Sequence, residues 1–290
     1  MLDGGLATQL ESQGHDLSSA LWSARLLSDD PEAVVDAHRA YFAAGAQVAT
    51  TASYQAAGLG PELTASVRLA QRARAEWDGV AGDRMESRDG RPRWVAASVG
   101  PYGARLADGS EYRGAYGLTV SELRDRHRPT IAALVDAGPD VLAFETLPCL
   151  AEIEAVLAEV DGSGVDCWVS MTCSGGRTRA GESVREAFAM ARDVEEVIAV
   201  GVNCTRPAEV GQLVRQAREV SGRPVVVYPN AGERWDAESR RWVGSSSFDV
   251  GEVLAWVAAG ARLVGGCCRV GPDQISAIDR LLRPGPETGG

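Results

Sequence analysis

The sequence predicts a single-domain α/β fold of the (β/α)8 TIM barrel class, on three observations. Apolar runs of strand length recur eight times, and amphipathic stretches of helix length separate them. Strands that alternate with helices pair in parallel, because a parallel crossover needs a helix-sized connection. The 290 residues hold all eight repeats without a linker, within the size range of one barrel. The barrel is assigned to residues 1–283, and 284–290 is expected to be a disordered tail. An open doubly wound sheet is the runner-up. It wants G-x-G-x-x-G after an early strand, and Gly4-Gly5 is a poor match.

Taken in order, Met1-Leu2-Asp3 reads as a very short strand running into Gly4-Gly5. His15 and Asp16 lie in a polar stretch before Leu21-Trp22-Ser23, a candidate lip over a pocket. Pro31 opens a helix capped by Asp29 or Asp30, with Val34, Val35, His38, Tyr41 and Phe42 at helical spacing until Gly45. Ala46 to Tyr54 reads as a strand with a polar tail. Pro61 to Asp78 is a helix with Leu63, Val67, Leu69, Ala70 and Ala73 at helical spacing and arginines on its other face, and Gly82 to Arg93 is a loop. Trp94 to Val99 is a strand. It leads into a long polar loop through Ser110-Glu111-Tyr112-Arg113-Gly114, and a loop that long in a compact domain is more often functional than idle. Thr119 or Ser121 caps the next helix, where Pro129 predicts a break or kink before a second segment ending at Gly138. Val141 to Thr146 is a strand ending on a carboxylate. The alternation continues as helix 150–160, strand 167–173, helix 182–193, strand 197–204, helix 207–220, strand 224–229, helix 249–259, strand 261–267 and a helix from Pro272 to Leu282.

Composition narrows the function. A content of 45% hydrophobic residues fills a substantial core, and a net charge of −11 repels phosphates, which argues against nucleic-acid or membrane-surface partners. The same charge suits a cationic small molecule. Six cysteines are too few for a disulfide scaffold in a chain this long, and no basic segment followed by an apolar leader opens it, so a reducing cytoplasm is expected. No apolar run approaches the about eighteen residues that span a bilayer. The oligomeric state is left open.

A barrel carries its site at the C-terminal ends of its strands. Here those ends are Asp3, Thr51 to Tyr54, Ser98, Glu145 with Thr146, Thr172 with Cys173, Asn203 with Cys204, Tyr228 to Asn230, and Cys267 with Cys268. So many polar groups after buried runs call for a ligand, a metal or a hydrogen-bond network. Cys267 and Cys268 follow Leu263-Val264-Gly265-Gly266, and Cys204 follows a similar run from Val197. Adjacent side chains on a strand face opposite ways, so both thiols serve one centre only if the backbone turns, and the two glycines make a turn plausible. Three thiolates at two strand ends would suit Zn²⁺ with its fourth position open; inert core cysteines are the alternative. His15, His38 and His127 fall in helix or loop patterns and read as surface or packing residues. Cys173 is a candidate pocket wall and Cys167 a core residue.

The segments Asp3-Gly4-Gly5, Thr51-Ala52-Ser53-Tyr54-Gln55, Ser98-Val99-Gly100-Pro101-Tyr102-Gly103, Glu145-Thr146-Leu147-Pro148, Gly201-Val202-Asn203-Cys204 and Gly265-Gly266-Cys267-Cys268-Arg269 together resemble the homocysteine S-methyltransferase family, in order and over nearly the whole chain. The loop Ala107 to Gly114 is similar to the branch that uses S-methylmethionine or S-adenosylmethionine. The resemblance implies that Cys204, Cys267 and Cys268 bind Zn²⁺, with homocysteine sulfur in the open position. It also implies that Asp3 and Glu145 receive the homocysteine amino group, although a structural pairing with an arginine such as Arg269 is an alternative. Asn203 is expected to orient substrate or an acid, and Thr51 and Ser98 to line the substrate site. Tyr54 stands in the open metal position before substrate arrives, or forms a wall. Trp22 is similar to a donor-pocket aromatic, where cation–π attraction favours a sulfonium. The implied reaction is zinc-dependent methylation of L-homocysteine to L-methionine, with S-methylmethionine first and S-adenosylmethionine second as donor. A barrel lyase or isomerase acting on a phosphorylated substrate, and a redox or zinc-sensing protein, are the rivals. Residues 174–182 depart from the family pattern: relatives often show an acidic Ser-Asp-Gly turn where this chain has Gly175-Gly176-Arg177-Thr178-Arg179-Ala180-Gly181.

Overall fold

The apolar runs become the strands of a parallel sheet. The structure, a computed structural model, describes residues 1–17, 25–56, 58, 60–79, 89–236 and 241–283. Its strands are β1 (Val48–Thr50), β2 (Trp94–Val99), β3 (Val141–Leu147), β4 (Cys167–Met171), β5 (Cys173–Ser174), β6 (Arg177–Thr178), β7 (Val197–Asn203), β8 (Val225–Tyr228), β9 (Arg234–Asp236), β10 (Arg241–Val243) and β11 (Ala261–Val264). Seven of them form one curled parallel sheet in the order β1-β2-β3-β4-β7-β8-β11. The first predicted strand is a single residue: Leu2 bridges Val48 in parallel and donates its N–H to the Val264 carbonyl at 2.8 Å, so it lies between the two edge strands. Two hairpins that the sequence pattern did not predict, β5 with β6 and β9 with β10, stand outside the sheet.

Helices α1 (Leu6–Ser12), α2 (Leu26–Asp29), α3 (Pro31–Ala43), α4 (Pro61–Asp78), α5 (Val120–Asp136), α6 (Leu150–Val160), α7 (Val184–Met190), α8 (Pro207–Ser221), α9 (Glu252–Ala259) and α10 (Pro272–Leu282) cover the outside. The predicted caps hold where they matter. Asp30 accepts from the Ala33 N–H at 3.2 Å, and Thr119 forms a reciprocal capping box with Glu122. The break predicted at Pro129 does not occur, and α5 runs through it. Leu123 and His127 before the proline, and Thr130, Ile131 and Leu134 after it, are all buried, so packing keeps both halves in one helix.

Both faces of the sheet are buried, which is why its strands read as continuous apolar runs. The outer face packs on the helices. The inner face gathers Leu2, Val48, Ala96, Val141, Ala143, Trp168, Ala199, Val226 and Tyr228 into a second cluster. Side chains two apart share a face, so the inner rows 96–98, 141–143–145, 168–170, 199–201–203 and 226–228 lead to Ser98, Glu145, Ser170, Asn203 and Tyr228 at the C-terminal rim. The predicted strand to Tyr54 stops at Thr50. There side chains replace the ladder: Thr51 Oγ1 accepts from the Ser98 N–H at 3.0 Å and shares a 2.7 Å hydrogen bond with Ser53, and the chain turns.

Candidate metal centre and substrate cleft

Cys204 is the first residue past β7, in a left-handed conformation with φ +46°. β11 ends at Val264, three residues earlier than predicted. Gly265 then bonds the Val227 carbonyl at 3.0 Å, Gly266 bonds that of Asp3 at 3.0 Å, and Cys267 bonds that of Pro229 at 2.8 Å. The glycines permit close approach: a Cβ on Gly265 would lie 2.5 Å from the Asp3 carbonyl oxygen, and one on Gly266 2.2 Å from Val270. The left-handed residue of the turn is instead Arg269, with φ +68°. This turn brings both vicinal thiols to Cys204, and all three sulfurs lie within 4.8 Å of one another.

Cys267 and Cys268 sulfurs are 3.9 Å apart, close to the roughly 3.8 Å that two thiolates span at about 2.3 Å from a tetrahedral ion. Cys204 and Cys267, at 2.7 Å, sit tighter than that but beyond a disulfide bond of about 2.05 Å. A donor set of three thiols on a cleft wall fits a soft, thiophilic ion and leaves a position for a further ligand. The cluster favours ionisation at one member. Hydrogen bonds from Cys267 and Cys268, then from Thr146 and Tyr112, hold the Cys204 thiol well below the ordinary thiol range despite burial. The same contacts with Cys204 push Cys267 and Cys268 well above it.

The thiols line a cleft of about 130 Å³ together with Asp3, Thr51, Tyr54, Glu145, Asn203, Glu111, Tyr112 and Tyr228. Asp3 accepts from the Thr50 N–H at 2.7 Å and the Thr50 hydroxyl at 2.9 Å, while burial pushes its carboxyl up to about 7. Glu145 accepts from the Ser98 hydroxyl at 2.5 Å, and burial pushes it up to about 8. Among the described residues neither acid forms an ion pair with an arginine. Arg269 instead lies 3.7 Å from Glu233 and 3.9 Å from Glu11. Ser98 is fully buried beneath the cleft and acts on it through Glu145. Asn203 lines the cleft with its amide committed at both ends: Oδ1 accepts from the Thr146 N–H and the Ser170 hydroxyl at 2.7 and 2.9 Å, and Nδ2 donates to Thr146 Oγ1 at 2.7 Å. It thereby holds Thr146 in a left-handed conformation, φ +62°. Burial raises the Tyr54 phenol well above its ordinary range, so it stands neutral.

Trp22 lies outside the described residues. Cys173 is buried under Thr205 and does not line the cleft, and Cys167 is core as expected. Of the histidines, His38 is fully buried, and burial lowers it to about 4; His127 is buried with Nε2 2.8 Å from Glu152. His15 is half-buried. Tyr228, read as a strand end, and Glu111 and Tyr112, read as part of a functional loop, line the cleft without having been given a role in the sequence reading. Tyr228 caps the inner row of β8, and its hydroxyl bonds Ser170 at 2.6 Å and Trp168 at 3.0 Å.

The homocysteine S-methyltransferase family model matches residues 1–282. The chain belongs to the homocysteine S-methyltransferase family. Within that family it is 42% identical to homocysteine S-methyltransferase 4 of Zea mays, over 98% of this chain and 89% of that one. It is 41% identical to the selenocysteine Se-methyltransferase of Brassica oleracea var. italica, over 97% and 88%. Among solved structures it is similar to the homocysteine methyltransferase MmuM from Escherichia coli in its metallated form, with a TM-score of 0.83 and 36% identity over 97% and 95% of the two chains. The curled parallel sheet of this family member is thus shared with a structure described as metallated. Among its described residues, the three thiols at the rim are a group whose geometry can hold a metal ion.

Proposed function

We propose that this protein methylates the thiol of L-homocysteine to give L-methionine, using a sulfonium donor and Zn²⁺ bound by Cys204, Cys267 and Cys268. The observation that carries the reading is the meeting of three thiols on the wall of a cleft whose other charged groups, among the described residues, are carboxylates. Zinc, when bound there, favours the thiolate form of an incoming thiol while leaving its sulfur nucleophilic. The acceptor sulfur forms a bond to the methyl carbon as the donor's S–CH₃ bond breaks, and the bonding pair leaves with a neutral thioether. No general acid is needed, which agrees with a cleft that no histidine lines among the described residues.

Asp3 and Glu145 receive the substrate ammonium. Buried and raised to about 7 and 8, they ionise fully once a cation arrives, so binding and ionisation reinforce each other. Ser98 fixes Glu145, Asn203 fixes Thr146, Thr51 braces the rim, and Tyr54 forms a neutral wall beside the metal. Trp22 is assigned to the donor pocket. S-methylmethionine is the first donor and S-adenosylmethionine the second. Residues 1–3 supply the eighth stave of a closed (β/α)8 barrel, through the bridge of Leu2 to both edge strands. The thiols stay available for metal in a reducing compartment such as the cytoplasm. Among the described residues no helix is long and apolar enough to cross a membrane.

The test incubates the protein with homocysteine and each sulfonium donor separately, with and without a chelator, and measures methionine. Methionine should form with S-methylmethionine, and both chelation and Cys268→Ala should abolish it while far-UV circular dichroism is retained. Unchanged turnover in metal-free protein refutes the zinc role. A selenocysteine arm, suggested by the Brassica relative's name, tests how strictly the acceptor is chosen.

A further inference from the structure

Of the cleft carboxylates that methyl transfer as described leaves unused, Glu11 lies 3.9 Å from Arg269, and Glu111 has no such ion pair among the described residues. It sits in the 3₁₀ turn Ser110–Tyr112, in the loop between β2 and α5, and lines the cleft beside Tyr54 and Tyr112. The loop is held in place. A Cβ on Gly103 would lie 2.5 Å from the Glu111 nitrogen, the Gly114 N–H bonds the Ser110 carbonyl at 3.0 Å, and the Tyr102 N–H bonds the buried Glu152 carboxylate at 2.5 Å. Glu111 therefore faces the cleft by construction.

Its Oε2 is buried without a hydrogen-bond partner. The nearby cations are committed elsewhere. Arg113 is engaged by the Asp108 carboxylate at 3.5 Å and the Ser110 hydroxyl at 3.0 Å. Arg179 bonds Thr172 Oγ1 at 3.1 Å and lies 5.2 Å over the Tyr112 ring. No lysine or arginine lines the cleft among the described residues. A carboxylate oxygen buried this way, on a half-buried side chain, is costly unless a ligand brings the positive charge. Asp3 and Glu145 already have their donors in Thr50 and Ser98, so the unmatched oxygen belongs to a different part of the ligand set.

We propose that Glu111 is the counter-charge for the methyl donor, selecting a cationic sulfonium over an uncharged molecule of the same shape. Transfer removes the positive charge from the donor sulfur, so the same carboxylate loses its hold on the spent thioether and lets it leave. This rests on the methyl-transfer reading above.

The experiment compares wild type with Glu111→Gln and Glu111→Asp. Calorimetry without homocysteine measures binding of S-methylmethionine and of homoleucine, whose C–H replaces the sulfonium. The wild type should prefer the sulfonium roughly 10- to 100-fold, through Coulomb attraction between a carboxylate and a cation that has no N–H or O–H to donate. Glu111→Gln should erase that preference and raise the donor KM by a similar factor, with the homocysteine KM and zinc content unchanged; Glu111→Asp should restore part of it. An unchanged binding ratio, or equal rises in both KM values, overturns the proposal, and so does loss of zinc in Glu111→Gln. If the wild type forms no methionine the methyl-transfer reading fails, whereas the binding ratio still judges Glu111.

Discussion

The two ends of the sheet bury acids in opposite ways. At the N-terminal end the Arg93 and Asp78 side chains, 1% and 3% exposed, pair at 2.8 Å. Arg93 also pairs with Asp89 at 3.0 Å and packs over the rings of Phe42 and Trp77. Nearby, Asp279 is held between Arg91 at 2.8 Å and Arg283 at 2.5 Å. At the C-terminal end Asp3 and Glu145 are also buried, and the described residues offer them hydroxyls and a backbone amide as donors. A hydroxyl can aim a carboxylate but cannot neutralise it, so burial raises Asp3 to about 7 and Glu145 to about 8. One end is completed by the chain's own cations. The other is left for a ligand's, on the function proposed above.

The contrast breaks first, and most visibly, at Arg93. Replacing it with Ala strands Asp78 in the core and should cost about 3 to 5 kcal/mol of stability, since the desolvated charge loses its partner. Urea denaturation reads the loss, and turnover per folded molecule should stay at the wild-type level because Arg93 is at the far end from the cleft. A loss of less than 1 kcal/mol would show that the N-terminal pair is not the structural element described.

The acids at the rim should have the opposite sign. Asp3 titrates at about 7 when folded against 3.8 when exposed, so the folded state binds more protons between those values. Its penalty is absent below about pH 4, grows through pH 7 and is constant above, reaching at most about 4 kcal/mol at 1.36 kcal/mol per unit. In metal-free protein without substrate, stability should therefore fall from pH 5 to pH 8. Asp3→Asn keeps an acceptor for the Thr50 N–H, removes the charge, and should make that fall shallower, leaving the part that Glu145 contributes. A wild-type urea midpoint that does not drop over this interval would mean the rim acids are neutralised by the chain after all.

How much of this was legible beforehand depends on the kind of signal. Strand order and the helix caps were legible because burial on both sheet faces leaves continuous apolar runs, and Asp30 and Thr119 stand where a cap must. The three cysteines were legible because they follow such runs. Their turn was read on the wrong residue: Gly265 and Gly266 allow close approach, while Arg269 carries the left-handed backbone. The chain Trp168–Tyr228–Ser170–Asn203–Thr146 was not legible, since it depends on the register that sets Asn203 opposite Tyr228. Helix α1 has no side-chain cap and buries only Leu10 completely, so its pattern is too faint to stand out. Glu111 lies in a loop, where no periodicity marks which way a side chain faces.

The finest separation of the two ends is at Glu145, where the same substitution should strengthen the fold and weaken the site. Glu145→Gln preserves shape and still accepts from Ser98 through its carbonyl oxygen, but it removes a buried charge that no cation among the described residues balances. At pH 8 the metal-free variant should therefore unfold at a higher urea concentration than the wild type. The homocysteine KM should rise about 10- to 100-fold, the worth of one hydrogen bond to a charged group, with kcat nearly unchanged because the acid does not touch the transferred methyl. Steady-state kinetics and urea unfolding on one preparation check both signs together. A variant that loses stability and binding in parallel would make Glu145 a structural acid like Asp78, and the distinction between the two ends would no longer hold at this position.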